Sequence, residues 1–356
     1  MTAVAIVFWV AVGLLVYAQV GYPVLLELLG RVRRGRSWPV AGDGAEPRVS
    51  LVIAAHREAE VIVACDGSPD DTPRRAREGG ADVVLELPWG GKVRAQDAAV
   101  ERAGGELLAF SDANALWEPD ALRALAAPFA DARVGYACGQ VRFVSDGGTN
   151  QEGLYWRYEM AIRARESQLA SVTAGNGAIY AVRPEAYLRV DPVMGHDLSL
   201  PFNMVKRGWR AVYAPAARAS EKMVPTVEGE FARKRRMMSH AWPIVLRGGL
   251  LSPRGYRPLY ALMIISHRVL RYAAPFLHLV ALVANAALLG RGWVYAATFG
   301  VQLGVIGAAA VGRVVRAKPL LIARYYVLTT ASVAAGLWDY LRRGTPAGWS
   351  PPEGTR

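Results

Sequence analysis

Asp112 and Asn114 stand two residues apart where an apolar run, Leu107–Trp117 (LLAFSDANALW), breaks into Ser111-Asp112-Ala113-Asn114. Both side chains offer oxygen, the donor that a hard divalent cation takes, and a cation so held neutralises a diphosphate. The chemistry suggested is the handling of a phosphate-bearing ligand, with Asp112 and Asn114 as metal ligands. The same residues suit a plain turn equally well, or a cap for a helix opening near Glu118-Pro119. The choice depends on the elements that carry Asp112 and on the polar residues sharing its cleft.

A short apolar run bounded by polar residues reads as a buried parallel-type strand, and open α/β sheets bind ligands beyond the carboxyl ends of such strands. Three earlier runs have the same form: Arg48–Ala55 ending in His56-Arg57-Glu58, Val61–Cys65 ending in Asp66-Gly67-Ser68, and Ala81–Leu87. Alternating with helical stretches up to about Thr226, they predict a doubly wound, mostly parallel sheet. One connection is too short. A parallel crossover takes a dozen or more residues, and only His56–Glu60 separate Ala55 from Val61. Either these strands are not parallel neighbours, or a segment is missing after Glu60, by deletion or at a break closed up in the numbering; the missing segment is the preferred reading.

Composition bounds the rest. Of 356 residues 53% are hydrophobic and the mean hydropathy is +0.16, more apolar sequence than an α/β domain absorbs. Ala3–Leu29 is long enough to cross a bilayer and is followed by Arg31, Arg33, Arg34 and Arg36. A cleaved leader carries its charge before the apolar region, so residues 1–30 read as an uncleaved anchor with cytoplasmic arginines. Residues 31–47 form a basic linker, 48–240 the α/β domain and 241–272 an interfacial segment. Residues 273–341 hold two or three spans (Ala273–Leu289, Val294–Val311 and a weaker Leu320–Tyr340), and 342–356 a tail that the charge rule and strict alternation place on opposite sides. The net charge of +12 lies beside apolar runs, which favours a lipid bilayer and argues against nucleic acid. Cys65 and Cys138 lack the spacing of a disulfide framework or zinc site and read as buried hydrophobes.

Taken in order, the motifs resemble those of membrane-bound family 2 glycosyltransferases, the group that includes cellulose, chitin and hyaluronan synthases. Ala54-Ala55-His56-Arg57-Glu58 resembles the AxxNE end of that family's first strand, and Asp66-Gly67-Ser68-Pro69-Asp70-Asp71-Thr72 its DGSxDxT. Gly90-Gly91-Lys92 resembles the GK segment, and Ser111–Asn114 the DxD element with Asn in place of the second acid. Thr173–Tyr180 resembles the glycine-bearing acceptor segment, and Gly195–Leu200 the ED or DD element. Gly208–Pro215, followed by Glu221, resembles the GWRxxYxP strand, whose residues read as framework. Glu230–Arg236 resembles the QxxRW helix, with Arg233 for Gln and Met237 for Trp. The resemblance covers about half of the chain.

The resemblance implies a GT-A fold: a Rossmann-like cytosolic α/β domain joined to transmembrane α-helices, in a bacterial-type plasma membrane. It implies a nucleotide-diphosphate sugar donor, UDP-linked by preference, a Mg2+ or Mn2+ ion, and inverting transfer to a lipid-linked or growing glycan acceptor. Ala54, His56, Glu58 and Asp66 would border the nucleotide, and Lys92, Asp112 and Arg236 its diphosphate. Asp112 and Asn114 would ligate the metal, and Gly175, Asn176, Gly177, His196 and Arg233 would lie on the acceptor side. Asp197 would be the general base; a neighbouring imidazolium lowers a carboxylate's basicity, so His196 suits this site only when neutral. Plainer local readings exist for each: a solvated Lys92, a tight turn at Gly175–Gly177, a helix N-terminal acid at Asp197, and a face on anionic headgroups at Arg233–Arg236. Two other functions stay open: addition of a single sugar to a polyprenyl phosphate or glycolipid, which the lost Trp favours over processive synthesis, and a non-catalytic membrane scaffold.

Overall fold

The computed structural model of the chain describes residues 1–32, 47–52, 59–144, 151–222 and 227–348. Eight strands form one sheet: β1 (Val49–Val52), β2 (Glu60–Asp66), β3 (Val83–Leu87), β4 (Leu107–Ser111), β5 (Leu116–Trp117), β6 (Val134–Val144), β7 (Ile179–Val182) and β8 (Arg210–Lys222). Their order is β3-β2-β1-β4-β7-β6-β8-β5. The first four are parallel, so their polar loops leave from one edge. Both faces of this half are covered: Leu107 and Ala109 pack into one apolar cluster, Leu108 and Phe110 into the other. Burial on both sides is why the strand reads as a continuous apolar run rather than an alternating one.

The other half is mixed. β7 runs antiparallel to β4, with Ile179 opposite Ser111, and antiparallel to β6. β8 is parallel to β6 and antiparallel to β5. The reversal at β7 delivers the residues just before Ile179 to the edge where Asp112 leaves β4.

The expectation for the first crossover needs correction. β1 and β2 are parallel neighbours, with Ser50 opposite Glu60 and Leu51 opposite Val61. Glu60 and Val61 are successive residues of one unbroken strand, so a break closed up in the numbering is not there, while the parallel pairing removes the alternative that these strands are not neighbours. Each is anchored separately: the Glu60 carboxylate accepts Gly104 N–H (2.9 Å), and Val61 N–H donates to Asp82 (2.8 Å). The link between these strands is residues 53–59, too short for a crossover helix, and their pairing covers only Ser50–Val52 against Glu60–Ile62.

Ten α-helices are described: α1 (Thr2–Val32, with a π-helical turn at Tyr17–Gly21), α2 (Thr72–Glu78), α3 (Lys92–Val100), α4 (Ala121–Ala126) and α5 (Gln151–Leu169), then α6 (His196–Lys206), α7 (Val227–Leu246), α8 (Pro258–Ala286), α9 (Trp293–Val311) and α10 (Lys318–Arg343). α1, α8, α9 and α10 are long and apolar enough to cross a membrane, and they leave large apolar side chains such as Trp9, Leu279 and Val301 exposed. α8 begins inside the stretch expected to lie at the interface, and its charges explain how. Arg268 donates to the Thr173 hydroxyl (2.9 Å) and Arg271 pairs with Glu159, so both are satisfied by protein rather than by water. Likewise Arg324 in α10 pairs with Glu228. Cys65 and Cys138 are buried and free.

Candidate active site

Asp66 ends β2, and its two carboxylate oxygens accept the N–H groups of Gly90 (2.7 Å) and Gly91 (2.8 Å). They hold the loop between β3 and α3, in which Gly91 has a φ of 97°, a region that favours glycine. Lys92 follows as the first residue of α3. Its ammonium pairs with the Asp112 carboxylate and lies 3.4 Å from the Gly177 carbonyl oxygen. Burial works against the Lys92 charge, but Asp112 outweighs it and keeps the ammonium above its ordinary pKa. Asp112 itself sits in a turn closed by Ala115 N–H on its carbonyl (3.0 Å), with Asn114 at the exposed corner. The turn uses only the backbone of Asp112, so the turn and ligand readings are compatible.

The Thr173–Tyr180 segment approaches this pair directly. A Cβ on Gly177 would lie 3.0 Å from Lys92 Nζ and 3.5 Å from an Asp112 oxygen, so a residue without a side chain is what admits the backbone there. Asn176 spends its amide on the turn: Nδ2 donates to Gly139 O (2.7 Å) and Oδ1 accepts Ile179 N–H (2.9 Å). Gly175 N–H donates to the Asp197 carbonyl oxygen (2.7 Å), and Arg163 donates to Gly175 O (2.9 Å). The segment is thus joined both to the lysine pair and to the second residue of α6.

His196 lies beneath the site. It is 4% exposed, its Nδ1 shares a hydrogen bond with the Tyr180 hydroxyl (2.8 Å), and its ring meets Phe110, Tyr180 and Tyr187 edge-on. Burial, with Lys92 adding to it, pushes its pKa down to about 3. The imidazole is therefore neutral near pH 7 and leaves the neighbouring Asp197 carboxylate without an imidazolium partner.

α7 supplies the opposite wall. Arg233 takes Glu230 through two nitrogens (2.7 and 2.8 Å), Lys234 donates to Tyr325 (2.7 Å), and Arg235 clamps Asp339 (2.6 and 2.7 Å). Lys234 and Arg235 tie α7 to α10, so much of the basic run faces protein rather than headgroups. Arg236 is half-buried, and burial and Arg233 both depress its pKa.

Two residues escaped the sequence reading as participants. His240, one turn beyond Arg236, contacts Val193 O through Nδ1 (3.1 Å); a carbonyl only accepts, so Nδ1 carries the proton in that bond. It feels both Asp197 and Arg236, and burial lowers its pKa. The i, i+4 spacing from Arg236 is the signal that would have found it. Glu221, taken as framework, is pushed up to about 7 by burial and by Asp112, against the pull of Lys92 and Arg233. Ala54, His56 and Glu58 lie outside the described residues.

Behind the Thr173–Tyr180 segment, buried charges join α5 to the long apolar helices α1 and α8. Glu166, fully buried, accepts from the Tyr22 hydroxyl of α1 (2.6 Å), meets His267 Nδ1 of α8 (2.7 Å), and accepts from the Thr173 hydroxyl (3.0 Å). The position of Thr173, two residues before Gly175, is therefore fixed by helices long and apolar enough to cross a membrane.

Residues 47–187 match the family model described as Glycosyl transferase family 2. An N-acetylglucosaminyltransferase of Mesorhizobium japonicum is 29% identical over 161 residues, 41% of this chain, and the match spans only 38% of that relative. Among solved structures, the mannosyltransferase PcManGT from Pyrobaculum calidifontis, in complex with GDP-Man and Mn2+, superposes over 94% of this chain and 99% of its own, with 22% identity and a TM-score of 0.66. At that identity the likeness is one of fold, and its extent takes in the long apolar helices. Residues 47–187 are therefore similar to a family 2 glycosyltransferase domain, and the sheet has the GT-A fold.

Proposed function

We propose that the protein is a membrane-bound inverting glycosyltransferase that moves a sugar from a nucleotide-diphosphate donor to a lipid-linked or growing glycan acceptor. One observation carries the reading: Lys92, Asp112, the Gly177 backbone and Asp197 converge on one sheet edge although they come from four separate segments. Lys92 and Arg236 are the cations for the donor diphosphate, whose charge grows as the sugar leaves. Asp197 takes the proton of the attacking acceptor hydroxyl, so that the new bond forms on the face opposite the departing diphosphate. His196, neutral and buried, places no positive charge beside Asp197.

Among the described residues no three His, Cys, Asp or Glu side chains form a metal cage. That fits a Mg2+ or Mn2+ ion held by one or two protein oxygens together with substrate phosphates. Asp112 and Asn114 would hold it, and the ion would neutralise the diphosphate. Lys92, paired with Asp112, lies where its ammonium would also meet the donor diphosphate.

A thermal-shift screen of UDP- and GDP-sugars with and without Mn2+ tests the reading, because a ligand of the native state raises apparent stability. The expected result is an Mn2+-dependent shift with one donor class, lost in Asp112→Ala. Absence of any shift and of any donor hydrolysis would instead support a non-catalytic scaffold.

A further inference from the structure

Beyond Arg343 the chain turns back onto the α/β domain. Thr345 Oγ1 donates to Ser239 O (2.7 Å), on α7 between Arg236 and His240. Ala347 and Gly348 then lie on the Trp89–Gly91 loop. A Cβ on Gly91 would collide with the Ala347 carbonyl, and one on Gly348 with the Trp89 ring. The two segments are packed backbone to backbone, with no room for a side chain on either glycine. The position of this tail, with the α/β domain rather than across the apolar layer from it, follows from these contacts.

The strap is itself well anchored. Asp339, in the last turns of α10, is clamped by Arg235; Trp242 Nε1 donates to Val333 O (2.9 Å); and Gly336 packs on Met238. The lysine loop is thus held twice: by Asp66 through the N–H groups of Gly90 and Gly91, and by residues 344–348 through its Cα surface. Its visible task is to aim Lys92 at Asp112.

We propose that residues 344–348 are part of the donor site, a strap that fixes the Gly90–Lys92 loop and so sets the affinity for the donor diphosphate without entering the chemical step. The inference rests on the reading of Lys92 as a diphosphate ligand. A free loop must be ordered at the moment of binding, and that entropy is charged against affinity, whereas a loop already held loses nothing further. The chemical step, which uses Asp197, is untouched.

The test compares the full chain in lipid vesicles with two variants: a truncation ending at Gly344, and Gly348→Val, whose side chain must push the strap off Trp89. The probes are UDP- and GDP-sugars with Mn2+, read by calorimetry for affinity and by donor hydrolysis at saturation for turnover. The expected result is a dissociation constant raised by about ten-fold or more in both variants, with saturated turnover within about two-fold and an unchanged melting temperature without donor. Should the truncation fail to fold, Gly348→Val decides alone. Unchanged affinity in the variants overturns the inference, as does tighter binding, which would make the strap a plug. Failure of the full chain to bind any donor would overturn the donor reading itself, and the strap with it; binding by the full chain and equally by both variants would overturn the strap alone.

Discussion

Replacing Asp197 by Asn removes one proton acceptor and little else. The contact between this residue and the acceptor segment is made by its backbone carbonyl, which takes Gly175 N–H, and an amide has the volume of the carboxylate. Donor binding, which falls to Lys92, Asp112 and Arg236, should therefore survive. The adjoining imidazole does not substitute: His196 is buried and bound to Tyr180. General-base catalysis is worth about 10²–10⁴-fold, so turnover is expected to fall by about 10³-fold, or about 4 kcal/mol in barrier height. The measurement is the initial rate of sugar transfer, or of donor hydrolysis, at saturating donor and Mn2+, beside the donor dissociation constant of the same preparation. Turnover within about three-fold of the parent, with donor still bound, would refute the role of Asp197. Weak binding with normal turnover would move the residue to the donor side.

Lys92→Met leaves Asp112 without its cation and the diphosphate without one donor; a charge-assisted hydrogen bond lost at this position is expected to raise the donor dissociation constant about 10- to 100-fold, read by calorimetry. His196 is neutral when folded and protonates more readily when unfolded, so its contribution to stability is complete above pH 6.5 and declines as the pH falls toward 3. From that shift, stability at pH 5.5 should be lower by about 1.4 kcal/mol than near neutrality. His196→Asn should lose this part of the pH dependence in denaturation curves, and an unaltered pH profile would contradict the burial argument.

The strands β1 to β4 and the polar residues that end them were legible in the chain, because both depend on local pattern. Short apolar runs ending in polar residues mark strands covered on both faces, and the motif residues fall at their ends. The register of β1 on β2 was not legible: the short link left two readings, of which a missing segment was preferred, and the pairing of Ser50 with Glu60 is a contact that no local pattern encodes. The span expected at Ala273–Leu289 belongs to α8, whose start at Pro258 was not legible for a similar reason. Arg268 and Arg271 look costly in an apolar helix until Thr173 and Glu159, about a hundred positions away, are seen beside them.

By itself the sequence determined an α/β domain with apolar helices at both ends, the acid-x-amide pair at Asp112 and Asn114, and a small set of candidate chemical groups. These follow from residue type and spacing. Only the tertiary structure decided that β7 reverses the sheet and sets Gly177 against Lys92 and Asp112, that His196 is buried and neutral, that Lys234 and Arg235 are spent on α10, and that residues 344–348 return to the lysine loop. Each depends on contacts between residues far apart in the chain, fixed by how apolar faces pack and buried charges find partners, and no local pattern encodes them.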